Sequence, residues 1–112
     1  MLEISLSAVK ETVLNVNGSN VKFIEYENAD EGDFVKVCTN DHDLGVAAEY
    51  MWLQHKYIDA ECTEQEFTKI KLNGNKTSFD ILTIKINNGC IKDVYFDISD
   101  MMENLKNMAS GK

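Results

Sequence analysis

The hydrophobic positions of this chain change period several times, and turn residues separate the blocks. Leu2, Ile4, Leu6 and Ala8 alternate with Glu3, Ser5 and Ser7, the period of two expected of a half-buried strand. Val9, Val13, Leu14 and Val16 would also allow one or two helical turns, but the alternation favours a strand. Asn17-Gly18-Ser19-Asn20 marks a turn, because Asn and Gly take positive φ at low cost, and a β-branched and aromatic run over 21–26 completes a hairpin. After a polar stretch at 27–32, Phe34, Val35 and Val37 predict a third short strand ending near Thr39.

The period then becomes helical. Asn40-Asp41-His42-Asp43 offers caps for a helix over 43–57, with its early carboxylates near the positive end of the helix dipole. Leu44, Ala47, Ala48, Met51, Trp52 and His55 lie on one stripe, and Val46, Tyr50, Leu53 and Tyr57 on a second beside it. Asp43, Gly45, Glu49, Gln54 and Lys56 are left for the wet side. Period two returns over 65–72 and 78–86, joined by Asn73-Gly74-Asn75, and again over 90–98 after Asn87-Asn88-Gly89. A last helix is predicted over 100–109, with Asp100 as N-cap, Glu103 three residues on, and Met101, Leu105 and Met108 as its apolar side. The expected fold is α+β: a mostly antiparallel sheet with two helices packed on one face, in the order β-β-β-α-β-β-β-α, as a single domain over 1–112.

Charge narrows the functional classes. The 112 residues hold 19 acidic and 11 basic side chains, all of the latter Lys, for a net charge of -8. A chain with that balance and no Arg lacks both the electrostatic footprint of a nucleic-acid binder and its commonest base-reading side chain. By thirds the charge divides as -5, -3 and 0, so the excess is N-terminal, and Glu25, Glu27, Asp30, Glu31 and Asp33 form its densest run. No membrane-spanning run or signal segment is read, and a cytoplasmic location is expected. Cys38, Cys62 and Cys90 are odd in number and widely spaced, which predicts buried reduced thiols rather than a disulfide framework.

Candidate chemistry is sparse. Asp41-His42-Asp43 joins carboxylates to imidazole, but its place at a helix start assigns it to capping. A Cys and His hydrolase would need a thiol and an imidazole brought together, and no spacing flags such a pair. Neither phosphate-binding loop, dinucleotide fingerprint, zincin motif nor nucleophile elbow occurs. Hence no catalytic, metal-binding or cofactor-binding residue is assigned, and no cofactor is expected.

Binding remains as the leading expectation. The acidic residues Glu25, Glu27, Asp30, Glu31 and Asp33 would steer a basic protein partner, and Trp52 would anchor it. If one sheet face is open, Phe79, Ile81, Ile91 and Tyr95 would add an exposed apolar cluster suited to a partner protein or to a second copy of the chain in a homodimer. The function expected is thus that of a small acidic protein-binding domain, of inhibitory or immunity type, with no nucleic acid or membrane as partner. A small-molecule-binding domain with a pocket between the helices and sheet is the first alternative, and a Cys and His hydrolase the second.

Overall fold

Two Asn-Gly pairs set the register of the longest hairpins. In the computed structural model, which describes residues 3–26, 33–87 and 89–102, Asn17 and Gly18 have φ of 51° and 91°, and Asn73 and Gly74 have φ of 51° and 84°. Two successive positive φ values make the tight turn whose twist matches that of paired strands, and few residue types other than Asn and Gly adopt them cheaply. The first turn joins β2 (Ala8–Val16) to β3 (Ser19–Tyr26), and the second joins β5 (Glu61–Leu72) to β6 (Asn75–Lys85). β4 (Asp33–Cys38) follows β3, and β7 (Ile91–Asp97) follows β6, so each hairpin becomes a three-stranded antiparallel meander.

The helix α1 (His42–Lys56) separates the two meanders in sequence and decides how they join. It returns the chain across the sheet, so β5 starts in the same direction as β4. Two further reversals leave β7 also parallel to β4, and these two strands pair, Asp33 against Val94 through Lys36 against Asp97. The sheet is therefore mixed rather than mostly antiparallel, with strand order β1-β5-β6-β7-β4-β3-β2. Alternation within each strand cannot reveal this, because a parallel seam between distant segments leaves no local turn signal.

The first predicted strand also divides. β1 (Glu3–Ile4) pairs in parallel with the end of β5, whereas β2 begins at Ala8 on the opposite edge of the sheet. From Ile4 to Ala8 the chain reaches at most about 14 Å, yet the six strand spacings between β1 and β2 would cover about 29 Å in a flat sheet. The sheet must therefore coil until its two edges approach, with residues 5–7 as the strap between them. Asn73 fastens that strap: its Oδ1 accepts from the Leu6 backbone N–H at 2.9 Å, and its Nδ2 donates to the Leu6 carbonyl at 2.9 Å.

Two cores result. On the helix side, Trp52, Leu53 and Ala48 pack on Phe23, Val35, Val37, Leu82, Ile84, Val94 and Phe96. Residues 99–102 form a helical turn on the same side, where Met101 joins this core; the remainder of the helix predicted over 100–109 lies outside the described residues. On the other side, Phe34, Phe79, Ile70 and Leu72 form a second cluster, with Ile4, Leu6, Tyr26 and Tyr95 packed against it. Phe34 stacks on Tyr95 with centroids 4.5 Å apart and meets Phe79 edge-on at 5.7 Å.

The buried stripe of α1 is rotated from the predicted one. Gly45, Ala48, Glu49, Trp52 and Leu53 are buried, while Tyr50, Met51 and His55 are exposed, so Gly45 and Glu49 leave the wet side assigned to them by polarity. Gly45 is buried because Met101 occupies the space a side chain would need: a Cβ there would lie 1.9 Å from Met101 Sδ and 2.8 Å from its Cε.

This contact fixes the sign of a substitution. Gly45→Ala gains about 1 kcal/mol of helix propensity but overpacks against a buried Met at a cost of about 1–3 kcal/mol. A net loss of about 1 kcal/mol is expected in urea denaturation. In a Met101→Ala background the clash is gone, and the same substitution should stabilise. A double-mutant cycle that shows no coupling would refute the packing.

Candidate functional site

At the end of the sheet where α1 finishes, several charged side chains converge on one cleft of about 390 Å³. Its walls include Glu25 and Tyr26 from the end of β3, Asp33 and Phe34 from the start of β4, Lys92 from β7, and Lys56 and Tyr57 from the end of α1. Val9 closes one side, where β2 shifts register between Ala8 and Lys10. Tyr57 is the C-cap of α1, its backbone N–H donating to the Leu53 carbonyl at 2.7 Å. That cap aims its ring at β4, where the phenol donates a hydrogen bond to Asp33 Oδ2.

The charges inside the cleft satisfy one another. Lys92 Nζ lies 3.4 Å from Asp33 Oδ1 and 5.3 Å from the centroid of the Tyr57 ring. Lys56 Nζ lies 2.7 Å from Glu25 Oε1 and 5.3 Å from the Trp52 ring. Burial pushes the Tyr57 phenol above its ordinary range, and the Asp33 carboxylate pushes it further, so it stays a donor at any physiological pH. For Lys56, burial works against the charge, but the hydrogen bond and attraction of Glu25 prevail and hold its pKa up. The arrangement is a charge-neutral, aromatic-walled cleft that offers ammonium and carboxylate groups side by side.

A second cluster lies beneath α1. Glu49 is fully buried, and no donor among the described residues meets either carboxyl oxygen. Burial, reinforced by the neighbouring Asp80, raises its pKa from the ordinary 4.5 to about 10, so the side chain is a neutral acid at neutral pH. In that form its own proton can bond the Asp80 carboxylate. Beside it Trp52 Nε1 is buried with no acceptor among the described residues, although its ring meets Phe96 and Tyr57 edge-on at 5.8 and 6.3 Å.

The residues proposed from sequence are scattered rather than gathered. Of the acidic run, Glu25 and Asp33 enter the cleft and are paired there, and Glu27, Asp30 and Glu31 lie outside the described residues. Trp52 and Phe79 are fully buried and present no anchor to a partner. Ile81 and Tyr95 are half-buried, Tyr95 in the same cluster as Ile4 and Leu6 on the face expected to be open. Ile91 stands apart, 62% exposed on β7.

The thiols also differ from expectation. Cys38 is half-buried, but Cys62 and Cys90 are exposed, the first at the start of the outer strand β5 and the second just before β7. Asp41 does cap α1, accepting from the Leu44 N–H at 3.0 Å. Among the described residues no group of three His, Cys, Asp or Glu side chains gathers in a metal-binding arrangement, and no helix is long and apolar enough to cross a membrane. Sequence reasoning passed over Lys92 and Glu49: a lone Lys in an alternating strand and a Glu in an amphipathic helix give no signal until the partners across the fold are known.

The buried acid generates a pH dependence. Between pH 4.5 and about 10 the folded chain holds a proton on Glu49 that the unfolded chain has released. Stability from this group is thus greatest below pH 4.5 and falls as pH rises through that window. Glu49→Gln supplies the same hydrogen bond to Asp80 without a titrating group. It should stabilise the fold at about pH 7 by about 3 kcal/mol and leave it nearly unchanged in acid. Parallel pH profiles of wild type and variant in urea denaturation would overturn this assignment. Comparison with protein-family models, with curated proteins and with solved structures returned no match, so the site is read from its geometry.

Proposed function

We propose that this chain works as a protein-binding domain for a basic partner, in the manner of an inhibitory or immunity-type factor. The observation that supports this most directly is the state of its carboxylates. Glu25 and Asp33 are consumed by Lys56 and Lys92, whereas Glu61, Glu64 and Glu66 are exposed and meet no Lys within salt-bridge distance among the described residues. Unpaired surface carboxylates on a chain of net charge -8 give the long-range field that speeds encounter with a cationic protein and penalises an anionic one. The acidic surface offered to a partner is therefore centred on β5 rather than on the described ends of the 25–33 segment.

The cleft favours a second reading, a small-molecule site, because its volume of about 390 Å³ is that of a modest ligand pocket and it combines aromatic walls with a few polar groups. Its paired ammonium and carboxylate groups suit a small ligand carrying both charges.

The two readings separate in one experiment. Tagged wild-type protein and a Glu61→Gln, Glu64→Gln, Glu66→Gln variant are used to capture material from lysate of the source cells at low and at physiological salt. A basic protein recovered in stoichiometric amount is expected, with recovery reduced by salt and reduced at least tenfold in the variant. Equal capture by both proteins at both salt levels would defeat the proposal. A small molecule retained by both and lost on Tyr57→Phe would favour the cleft instead.

A further inference from the structure

β5 is an edge strand that the rest of the sheet leaves half open. On one side it pairs with β6 along its whole length, from Glu61 opposite Lys85 to Leu72 opposite Asn75. On the other side β1 meets it only at Lys71 and Leu72. Along residues 61–70 its outward N–H and C=O groups therefore face no strand among the described residues. Edges of that length are normally blunted by charges, above all Lys, by Pro, by a bulge or by a covering element, and on β5 the bulge lies at its start and the charges there are carboxylates. The chain has no Pro, and β5 carries no Lys before Lys69.

Its side chains give the edge a definite chemistry. Glu64 and Glu66 stand opposite Thr83 and Ile81 of β6, and Glu61 stands opposite Lys85. Those three β6 positions are alternate residues and share one face. A register shift between Cys62 and Glu64 brings Glu61 onto the same face as the other two, which a regular strand would not do. Phe67 lies on the opposite face and is 49% exposed. The edge thus offers backbone hydrogen bonds, a file of carboxylates on one side and an aromatic contact on the other.

We propose that β5 accepts an extended segment of the partner protein as an additional strand, a mode that builds on the protein-binding reading above. The pleat specifies the segment. Side chains opposite Glu64 and Glu66 are separated by one residue and are basic, and the one opposite Phe67 is apolar. A second copy of this chain fits less well. Antiparallel self-pairing about the middle of the free edge sets Glu64 against Glu66, or Glu66 against itself, and like charges directly opposite are unfavourable.

The test uses the full chain and short fluorescent peptides in which lysine alternates with threonine beside one valine, titrated by anisotropy at low salt. The parent peptide should bind, glutamate in place of lysine should abolish binding, and Glu64→Gln with Glu66→Gln should weaken it about tenfold. Methylating alternate backbone nitrogens keeps the charge and removes strand donors, and should also abolish binding. Hydrogen exchange should slow across 61–70 in the parent complex alone. Unchanged binding of the methylated peptide would overturn strand addition while leaving an electrostatic protein-binding surface intact. Failure of every peptide, with lysate capture still dependent on the three Glu, would do the same. Sedimentation showing a dimer of the chain in the absence of peptide, which Phe67→Lys abolishes, would assign the edge to a second copy and overturn the proposal. Circular dichroism of each variant confirms that the fold is retained.

Discussion

The parallel pairing of β4 with β7 makes one structure out of two meanders. Each meander alone is a three-stranded sheet with an apolar face, to which its last strand contributes two buried residues: Val35 and Val37 in β4, Val94 and Phe96 in β7. Joining the two last strands places these residues in the middle of the sheet, where Trp52 and Ala48 of α1 cover them. The same seam sets Phe34 beside Tyr95 on the reverse face and so begins the second core. Asp33 and Lys92 are brought together by it as well, which is why the cleft sits at the mouth of the seam.

What was legible in the sequence follows from distance along the chain. Asn17-Gly18 and Asn73-Gly74 announce their hairpins because the conformation they require belongs to the two residues themselves. Alternation in β6 and β7 and the helical run before Tyr57 are equally local, and the elements lie close to where the pattern puts them. The seam between β4 and β7, and the departure of β1 to the far edge, depend on pairings about sixty residues apart that leave no mark on the pattern. Polarity misled in one place. Glu49 and Gly45 belong to the buried stripe because one is neutral where it lies and the other yields room to Met101.

The site was less legible than the fold, for a related reason. A run of acidic residues says how much charge is present but not which charges are already matched. Lys56 and Lys92 reach Glu25 and Asp33 from other elements, so the densest part of the sequence run contributes little free charge at its described ends. Glu61, Glu64 and Glu66 drew no attention in the sequence because their spacing does not alternate. Only the shift of register after Cys62 aligns them.

The strap at residues 5–7 has a kinetic meaning. Both hydrogen bonds by which Asn73 holds Leu6 close a loop of 67 residues. Each meander, by contrast, can zip from a two-residue turn with almost no loop to close. Loop-closure entropy therefore sets the hairpins ahead of the two distant joints, the seam between β4 and β7 and the strap, which close loops of similar length. Ile4 and Leu6 pack on the Phe34 and Phe79 cluster and not on the helix-side one, so a local opening at the strap would uncover the second core and leave the first closed.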